Sequence, residues 1–406
     1  MPTLTARTPG FAGGPGFARM FVPLGLVFLT VGISVALVLP FLSLFLSTEV
    51  RASPLQVTVA LVVGPLSGVL AGTLIGRLSD RRPIRRKLLI GAAVFGLAGT
   101  ALFAVIRDYW VLMVVQITIV AIAGSLFPQS FAYAREALER AVPGRSAMGI
   151  TSLRTVFSIA WVAGPPLAAV LIEVGGFRLV YGCAALMYGL AAFLSTVALP
   201  DVRPLDPVPD DVLPDDPTPP LSRGKALLIT VIFTALQCPM TLSVQALPLH
   251  ISTNLGGEVS DAGLVLGLCA ALEIPLLLGL GWLATRLPVR AVIIGGAVCG
   301  VGYFLIVFTA GEVWMLLVAQ LLNALFIAAV SGPSISFVQD MLPSEPGRAT
   351  TLFTNTFPIG AMLAGPLFGV AQRFDYRLAF LMCAALLVVG VVLLAVMRTE
   401  RRQPVG

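Results

Sequence analysis

The sequence predicts an all-α integral membrane protein with twelve transmembrane helices in two six-helix halves. Hydrophobic residues make up 57% of the 406 residues, charged residues make up 11%, and the mean hydropathy is +0.96. An ordinary soluble domain carries more than twice that share of charge. Apolar runs of roughly 20 residues, the length of a membrane-crossing helix, recur along the whole chain. A segment rich in proline and aspartate separates the first six runs from the last six.

The apolar runs and the basic residues between them predict the topology. An even number of spans puts both termini on one side. That side holds 20 of the 26 Lys and Arg residues, the opposite side holds 5, and Arg154 lies within a span. The positive-inside rule therefore predicts cytoplasmic termini, and it explains the pI near 9.4 without a nucleic-acid partner. The predicted spans are 21–46, 55–75, 88–106, 110–133, 148–172, 178–199, 226–249, 261–284, 289–309, 313–337, 350–372 and 378–397.

The same reading divides the chain into five parts. Between positions 200 and 220 there are eight prolines and six aspartates, which is typical of a semi-extended, disordered linker. We expect a cytoplasmic tail, a first six-helix bundle, a cytoplasmic linker, a second bundle and a second tail, at residues 1–20, 21–199, 200–225, 226–397 and 398–406.

The motif content argues against catalysis. The five cysteines stand singly in apolar segments, and no Cys/His spacing is typical of a metal site. There is no Gly-rich phosphate loop and no Ser/His/Asp set. We therefore expect neither an enzyme nor an ATP-driven pump, and no cofactor or metal.

The two halves repeat each other in sequence. Four short matches occur in the same order, which is hard to obtain by chance, and their offset drifts slowly. They pair Gly76–Arg85 with Gly281–Arg290 (offset 205), Trp110–Gln116 with Trp314–Gln320 (204), Pro143–Arg145 with Pro346–Arg348 (203), and Gly164-Pro165 with Gly365-Pro366 (201). Parallel six-span repeats are an architecture of secondary transporters whose site lies between the halves.

An arginine inside predicted span 5 marks a functional face. Arg154, Ser158 and Trp161 are spaced i, i+4, i+7, so they share one side of a helix, and Gly164-Pro165-Pro166 must bend or loosen it. A guanidinium facing lipid costs at least ~2.5 kcal/mol, so this side should face a wet cavity. The alternative is an arginine paired with a neighbouring helix to hold the bundle together.

Glu273 is the one carboxylate deep inside a predicted span. It is costly to keep ionised there unless a cation lies near, and Arg154 is the most plausible partner. A carboxyl group that takes up a proton on one side and releases it on the other is what antiport requires. The alternative is a static Glu273 that is hydrogen-bonded for packing or for substrate orientation.

Uncharged polar residues also follow helix faces. Hydroxyl and amide groups with a flat indole such as Trp161 suit a neutral polyol. The alternative is that these groups join helix to helix, as they commonly do in membranes. The members are Thr230, Thr234, Gln237, Thr241 and Gln245 in span 7, Ser125, Gln129 and Tyr133 in span 4, Gln320 and Asn323 in span 10, and Thr351 and Asn355 in span 11.

The segment GRLSDRRPIRRKLL resembles the signature between spans 2 and 3 of the major facilitator superfamily. The resemblance implies the major facilitator fold, with Gly76, Asp80, Arg81 and Arg85 latching the cytoplasmic helix ends in the outward-facing state. The segment AWVAGPPLAAVL resembles the superfamily's Gly-Pro signature of exchangers and exporters, at Gly164 and Pro165. The chain departs from the first signature at Pro83, and its second copy has Thr285 in place of the aspartate.

A narrower resemblance runs along both halves. Segments similar to bacterial sugar efflux transporters are PFLSLFLSTEV, FPQSFAYARE, SLRTVFSIAWVAGPPLA, ALEIP, QLLNALFI, FVQDMLP and ATTLFTN. The resemblance implies a monomer in the bacterial inner membrane that exports lactose-, glucose- or arabinose-like sugars by proton antiport with alternating access. A multidrug exporter of the same fold is the alternative. The expected substrate contacts are Gln129, Arg154, Trp161, Gln237, Thr241, Gln245, Glu273, Asn323 and Asn355.

Overall fold

The computed structural model describes residues 15–81, 84–141, 146–201, 223–283, 286–342 and 346–397. The predicted tails at 1–14 and 398–406 and most of the predicted linker, 202–222, lie outside the described residues. The N-terminal half consists of α1 (Pro15–Val38), a 3₁₀ turn (Leu39–Phe41), α2 (Leu42–Thr48), α3 (Pro54–Arg81), α4 (Arg85–Val105), α5 (Tyr109–Val115), a π-helical turn (Gln116–Val120), α6 (Ala121–Ala123), α7 (Leu126–Ala141) and α8 (Ser146–Val197). The C-terminal half consists of α9 (Arg223–Asn254), α10 (Val259–Leu283), α11 (Val289–Thr309), α12 (Val313–Ser331), α13 (Pro333–Met341), α14 (Pro346–Phe374) and α15 (Arg377–Val396).

The all-α membrane fold is confirmed, with a difference in the number of spans. Within the described ranges, ten helical segments are long and apolar enough to cross a membrane. One of them, Gly149–Val197, contains predicted spans 5 and 6, and its backbone leaves the helix at Gly176 (φ 66°, ψ −169°). Predicted span 11 is the helix α14, which is not among the ten. Its first half carries Thr350, Thr351, Thr354, Asn355 and Thr356, which lower its apolarity, so the count of twelve stays a prediction.

Several spans change direction or geometry partway across the membrane. Pro40 lacks an N–H and stands in the 3₁₀ turn between α1 and α2. The fourth span passes through the π-helical turn and a second break at Gly124. Such irregular backbone at membrane depth is tolerated where it lies against protein or a cavity. The break near Pro40 lies at a contact between the two halves. The π-helical turn borders a cavity inside the N-terminal half.

Close packing at glycines joins helices within and between the halves. A Cβ added at Gly164 of α8 would collide with Ala36 of α1. Within the C-terminal half, α9 packs on α14 and α15, and α11 packs on α12 and α15. Between the halves, α8 packs on α10 and α3 packs on α14.

The internal repeat is visible in matching hydrogen bonds at the predicted cytoplasmic ends. Arg86 donates from Nε to the carbonyl of Ser195 (3.1 Å) at the end of α8, and Arg290 donates from Nη2 to the carbonyl of Leu394 (2.6 Å) at the end of α15. Arg290 therefore corresponds to Arg86, one residue beyond the position that the sequence match paired with it. The offset of 204 then holds without a gap from Arg86 to Gln116.

Candidate functional site

A glutamine from the C-terminal half closes the predicted outer side of the interface. The backbone N–H of Ser43 donates to Gln245 Oε1 (3.2 Å), and Gln245 Nε2 donates to the carbonyl of Leu39 (2.8 Å). The Ser43 hydroxyl also donates to the backbone carbonyl of Gln245 (2.6 Å). In an unbroken α-helix, the Ser43 N–H and the Leu39 carbonyl would bond to each other. The side-chain amide of Gln245 takes the place of that bond.

Small residues bring the helices of the two halves together on the same side. A Cβ added at Gly267 of α10 would lie 2.9 Å from the carbonyl oxygen of Val162 in α8. A Cβ added at Gly365 of α14 would lie 3.2 Å from the carbonyl oxygen of Thr58 in α3. Gln372 Nε2 of α14 donates to the Ser47 hydroxyl of α2 (3.1 Å). All these contacts lie in the outer parts of their helices.

The predicted cytoplasmic side is arranged differently. The inner part of the fourth span, α7, packs on α1, α4 and α8, and the corresponding α13 packs on α11, α12 and α14. A Cβ added at Gly68, Gly72 or Gly76 of α3 would meet nothing within 4 Å. Among the described residues, the halves thus meet at the outer side, and the inner part of α3 has open space beside its glycines.

Arg154 and Glu273 lie below this contact, on the two helices that form it. At about 1.5 Å per residue, Arg154 is about 12 Å along α8 from Val162, and Glu273 is about 9 Å along α10 from Gly267. Both are on the cytoplasmic side of the contact. Glu273 is partly buried, Arg154 is exposed, and Arg154 is the charged group whose electrostatic interaction reaches Glu273. The structure therefore brings the two predicted coupling residues into one electrostatic neighbourhood, without a direct ion pair.

A chain of hydrogen bonds within the C-terminal half begins at Cys269, close to Glu273 in the sequence. Cys269 lies one helical turn before Glu273, and Asn323 Nδ2 donates to its Sγ (3.3 Å). Asn323 Nδ2 also donates to Gln320 Oε1 (3.0 Å), and Gln320 Nε2 donates to the Tyr303 hydroxyl (3.2 Å). Asn323 is 8% exposed. The amide nitrogen of Asn323 thus bonds to other side chains of the protein. This agrees with the alternative that such polar residues join helix to helix.

The other predicted substrate contacts fall into two groups. Gln237 is buried, and its Nε2 donates to the Thr356 hydroxyl (2.5 Å) within the C-terminal half. Gln129 is also buried, and its Oε1 accepts no hydrogen bond from the described residues. Trp161 and Thr241 are half-buried and Asn355 is exposed, so part of each of these three side chains is accessible.

The predicted gating residues are only partly described. Gly76 lies on α3 with open space beside it, and Gly164 and Pro165 lie where α8 is packed between α1 and α10. Arg85 forms an ion pair with Glu136 of α7 (3.1 Å), and both side chains are largely buried. The side chains of Asp80 and Arg81 are outside the described part of the structure.

Sequence reasoning missed Ser43, Cys269, Thr356 and Glu136 as partners of the predicted residues. Pro40 was a usable signal for Ser43, since a proline inside a span leaves a carbonyl and an N–H without their helical bond. For the other three no signal in the sequence was available. Each becomes a partner only when two distant helices pack together.

Comparisons with known proteins agree with this geometry. A model of the Major Facilitator Superfamily matches residues 24–244 and 228–406. A putative sugar efflux transporter of Deinococcus radiodurans is 33% identical over 372 residues, which cover 89% of this chain and 94% of the relative. Sugar efflux transporter B of Salmonella typhimurium is 33% identical over 370 residues, covering 91% of this chain and 93% of the relative. The crystal structure of the nucleoside transporter NupG superimposes with a TM-score of 0.70 at 16% identity, covering 92% of this chain and 98% of that one.

Proposed function

Since the chain belongs to the Major Facilitator Superfamily, we propose that it is a secondary transporter that exports sugars from the cytoplasm by alternating access. The observation that carries the proposal is the one-sided contact between the halves, with Arg154 and Glu273 below it on α8 and α10. The sugar specificity is supported by relatives named as sugar efflux transporters. We propose a monomer in the inner membrane with both termini in the cytoplasm.

The accessible polar groups define the proposed sugar site. The indole of Trp161 offers a flat apolar face to a sugar ring, while Thr241 and Asn355 offer hydroxyl and amide groups for directional hydrogen bonds. The side chains of Gln237, Gln245 and Asn323 bond to other protein groups. In this state they therefore affect the sugar site by fixing the positions of the helices and not by contact with the sugar. Direct contact with sugar is therefore proposed first for Trp161, Thr241 and Asn355.

Proton antiport is proposed to run through Glu273. In the cytoplasm-open arrangement, Arg154 stabilises the ionised carboxylate, which favours proton release to the cytoplasm while sugar binds. After the halves rock to open outward, sugar leaves and Glu273 takes up a proton from outside. Each proton that moves inward is worth about 2.3 kcal/mol per 100 mV of membrane potential, enough to drive a gradient of a neutral solute.

Transport in inverted membrane vesicles tests the proposal, because these vesicles expose the cytoplasmic face. We expect an inside-acid pH gradient to drive uptake of radiolabelled lactose or a glucose analogue, and an uncoupler to abolish it. Glu273→Gln should remove the dependence on the gradient. Glu173→Gln, an exposed carboxylate on α8, is the matched control and should transport normally.

Two results would contradict parts of this proposal separately. Gradient-driven sugar uptake that persists in Glu273→Gln would refute the proton role of this carboxyl group. Absence of sugar uptake, with gradient-driven movement of a cationic dye instead, would refute sugar as the substrate and favour the multidrug exporter.

A further inference from the structure

A cavity of about 230 Å³ lies inside the N-terminal half, away from the proposed sugar site. It is bordered by α1, α4, the π-helical turn and the part of α8 that follows Gly176. Its lining residues include none of the predicted substrate contacts. The polar and aromatic members of the lining are Ser34, Thr100, Phe103, Gln116, Tyr181 and Tyr188. A water molecule takes about 30 Å³ of liquid, so the cavity has room for several waters or one small ring.

Three polar groups of the lining have no hydrogen-bond partner among the described residues: the amide of Gln116 and the hydroxyls of Tyr181 and Tyr188. The other two polar groups of the lining are satisfied. Ser34 donates to the carbonyl of Ala184 (3.1 Å), and Thr100 donates to the carbonyl of Gly96 (2.7 Å). Polar groups inside proteins nearly always have a partner, and exceptions need an explanation. The three groups are therefore available to an occupant of the cavity that offers hydrogen bonds.

The C-terminal half shows what fills the corresponding space. At the repeat offset of 204, Gln116 corresponds to Gln320, and Gly99-Thr100 corresponds to Tyr303-Phe304. The amide of Gln320 donates to the phenol oxygen of Tyr303 (3.2 Å). Phe304 is fully buried beside it and packs edge-on against Phe326, with 6.0 Å between ring centroids. The C-terminal half thus has the ring of Phe304 where the N-terminal half has Thr100 at the cavity wall, and it has the phenol of Tyr303 where the N-terminal half has Gly99.

The walls of the cavity are held by packing. The ring of Tyr181 contacts Phe45 and Phe103, with centroid distances of 4.8 and 5.3 Å. A Cβ added at Gly99 would lie 2.8 Å from Val120 Cγ2, so the π-helical turn lies directly against the glycine. The N-terminal half therefore cannot fill the space with a side chain at Gly99, and no charged residue lines it.

From these observations we propose that the cavity binds a small neutral aromatic alcohol of the size of phenol or a cresol. The ring lies among Phe103, Tyr181 and Tyr188, and the hydroxyl bonds to the amide of Gln116, as Tyr303 bonds to Gln320 in the other half. The proposal is independent of the sugar site, because the two share no residue.

Equilibrium dialysis of radiolabelled phenol against the full-length protein in lipid nanodiscs tests the proposal, with empty nanodiscs giving the lipid background. We expect a saturable component of about one phenol per chain. Thr100→Phe places in the cavity the phenylalanine that the C-terminal half has at the corresponding position, Phe304. This variant should abolish the saturable binding of phenol. Ala98→Phe adds the same ring to the exposed side of α4 and should keep it.

A second variant separates the hydrogen bond from cavity filling. Gln116→Leu should weaken phenol binding about three- to tenfold, the share of one hydrogen bond, and should leave toluene binding unchanged. If Thr100→Phe does not fold, the comparison of phenol with toluene binding in Gln116→Leu tests the proposal by itself. The proposal is overturned by the absence of a saturable component, by equal binding in wild type and folded Thr100→Phe, or by an equal loss for toluene and phenol in Gln116→Leu.

Discussion

At the scale of single residues, Gln245 shows how one side chain closes a membrane interface. A broken helix at membrane depth leaves backbone groups whose loss of hydrogen bonds is costly in lipid. The carboxamide of Gln245 supplies both a donor and an acceptor at the break near Pro40, and it does so from the other half of the protein. Breaking this contact must accompany any opening to the outside. Gln245 therefore contributes to the balance between the two access states.

Gln245→Leu keeps the size of the side chain and removes both hydrogen bonds. We expect the outer contact to weaken by about 1–3 kcal/mol, because the Ser43 N–H loses its partner and the Leu39 carbonyl keeps only the N–H of Leu42. A cysteine introduced at Thr241, in a background without native cysteines, should then react faster with an impermeant maleimide added from outside. Gln237→Leu is the matched control, since Gln237 bonds within its own half, and it should not change this rate. Equal rates in all three proteins would show that Gln245 does not hold the contact.

At the scale of elements, the pair α8 and α10 carries both a contact between the halves and the two residues proposed for proton coupling. Gly263 and Gly267 allow α10 to approach the backbone of α8 near Val162 and Pro165. Glu273 lies less than two turns beyond Gly267, so its distance from Arg154 depends on how closely these helices pack. The packing of one helix pair thus determines the electrostatic environment of the proposed proton carrier.

Gly267→Val should destabilise the protein by about 1–3 kcal/mol, because the added atoms collide with Pro166 and with the carbonyl of Val162. The midpoint of thermal unfolding in detergent measures this. Gly279→Val on the same helix is the control, since a Cβ there meets nothing within 4 Å and its midpoint should stay near that of wild type. A Gly267→Val midpoint as high as that of Gly279→Val would contradict the close approach.

At the scale of the whole molecule, the contacts between the halves gather at the predicted outer end of the part of the chain that the structure describes. The contacts between the halves lie at Gln245, at Gln372 and in the outer parts of α8, α10, α3 and α14. The inner helices α7 and α13 pack within their own halves. This is the arrangement from which an exporter would collect its substrate in the cytoplasm.

A disulfide between Thr58→Cys and Gly369→Cys should form readily under mild oxidation, because a Cβ added at Gly369 of α14 would lie 3.3 Å from Thr58 Cβ of α3, across the halves. The cross-link should stop transport by holding the outer side closed, and a reductant should restore it. The pair Gly76→Cys and Thr354→Cys, on the inner parts of α3 and α14, is the control and should cross-link slowly without substrate. Faster cross-linking of the inner pair would mean that the protein rests in the opposite state.

The fold class, the internal repeat, the superfamily and the charged residues inside the membrane could all be predicted from the amino-acid sequence. This was possible because lipid permits few solutions. A span must be a long apolar helix, and a charge such as Arg154 or Glu273 within it is expensive enough to stand out. Helical spacing also predicted which polar residues share a face.

The partners of those helix faces could not be predicted from the sequence and become visible only in the folded protein. An amide such as Gln237 or Asn323 bonds equally well to a sugar or to a neighbouring helix, and spacing along one helix does not say which is nearby. The structure pairs Gln237 with Thr356 and Asn323 with Cys269, brings Arg154 and Glu273 together from different halves, and leaves Gln116 facing a cavity. These outcomes depend on contacts between residues far apart in the chain, so they arise only when the helices pack.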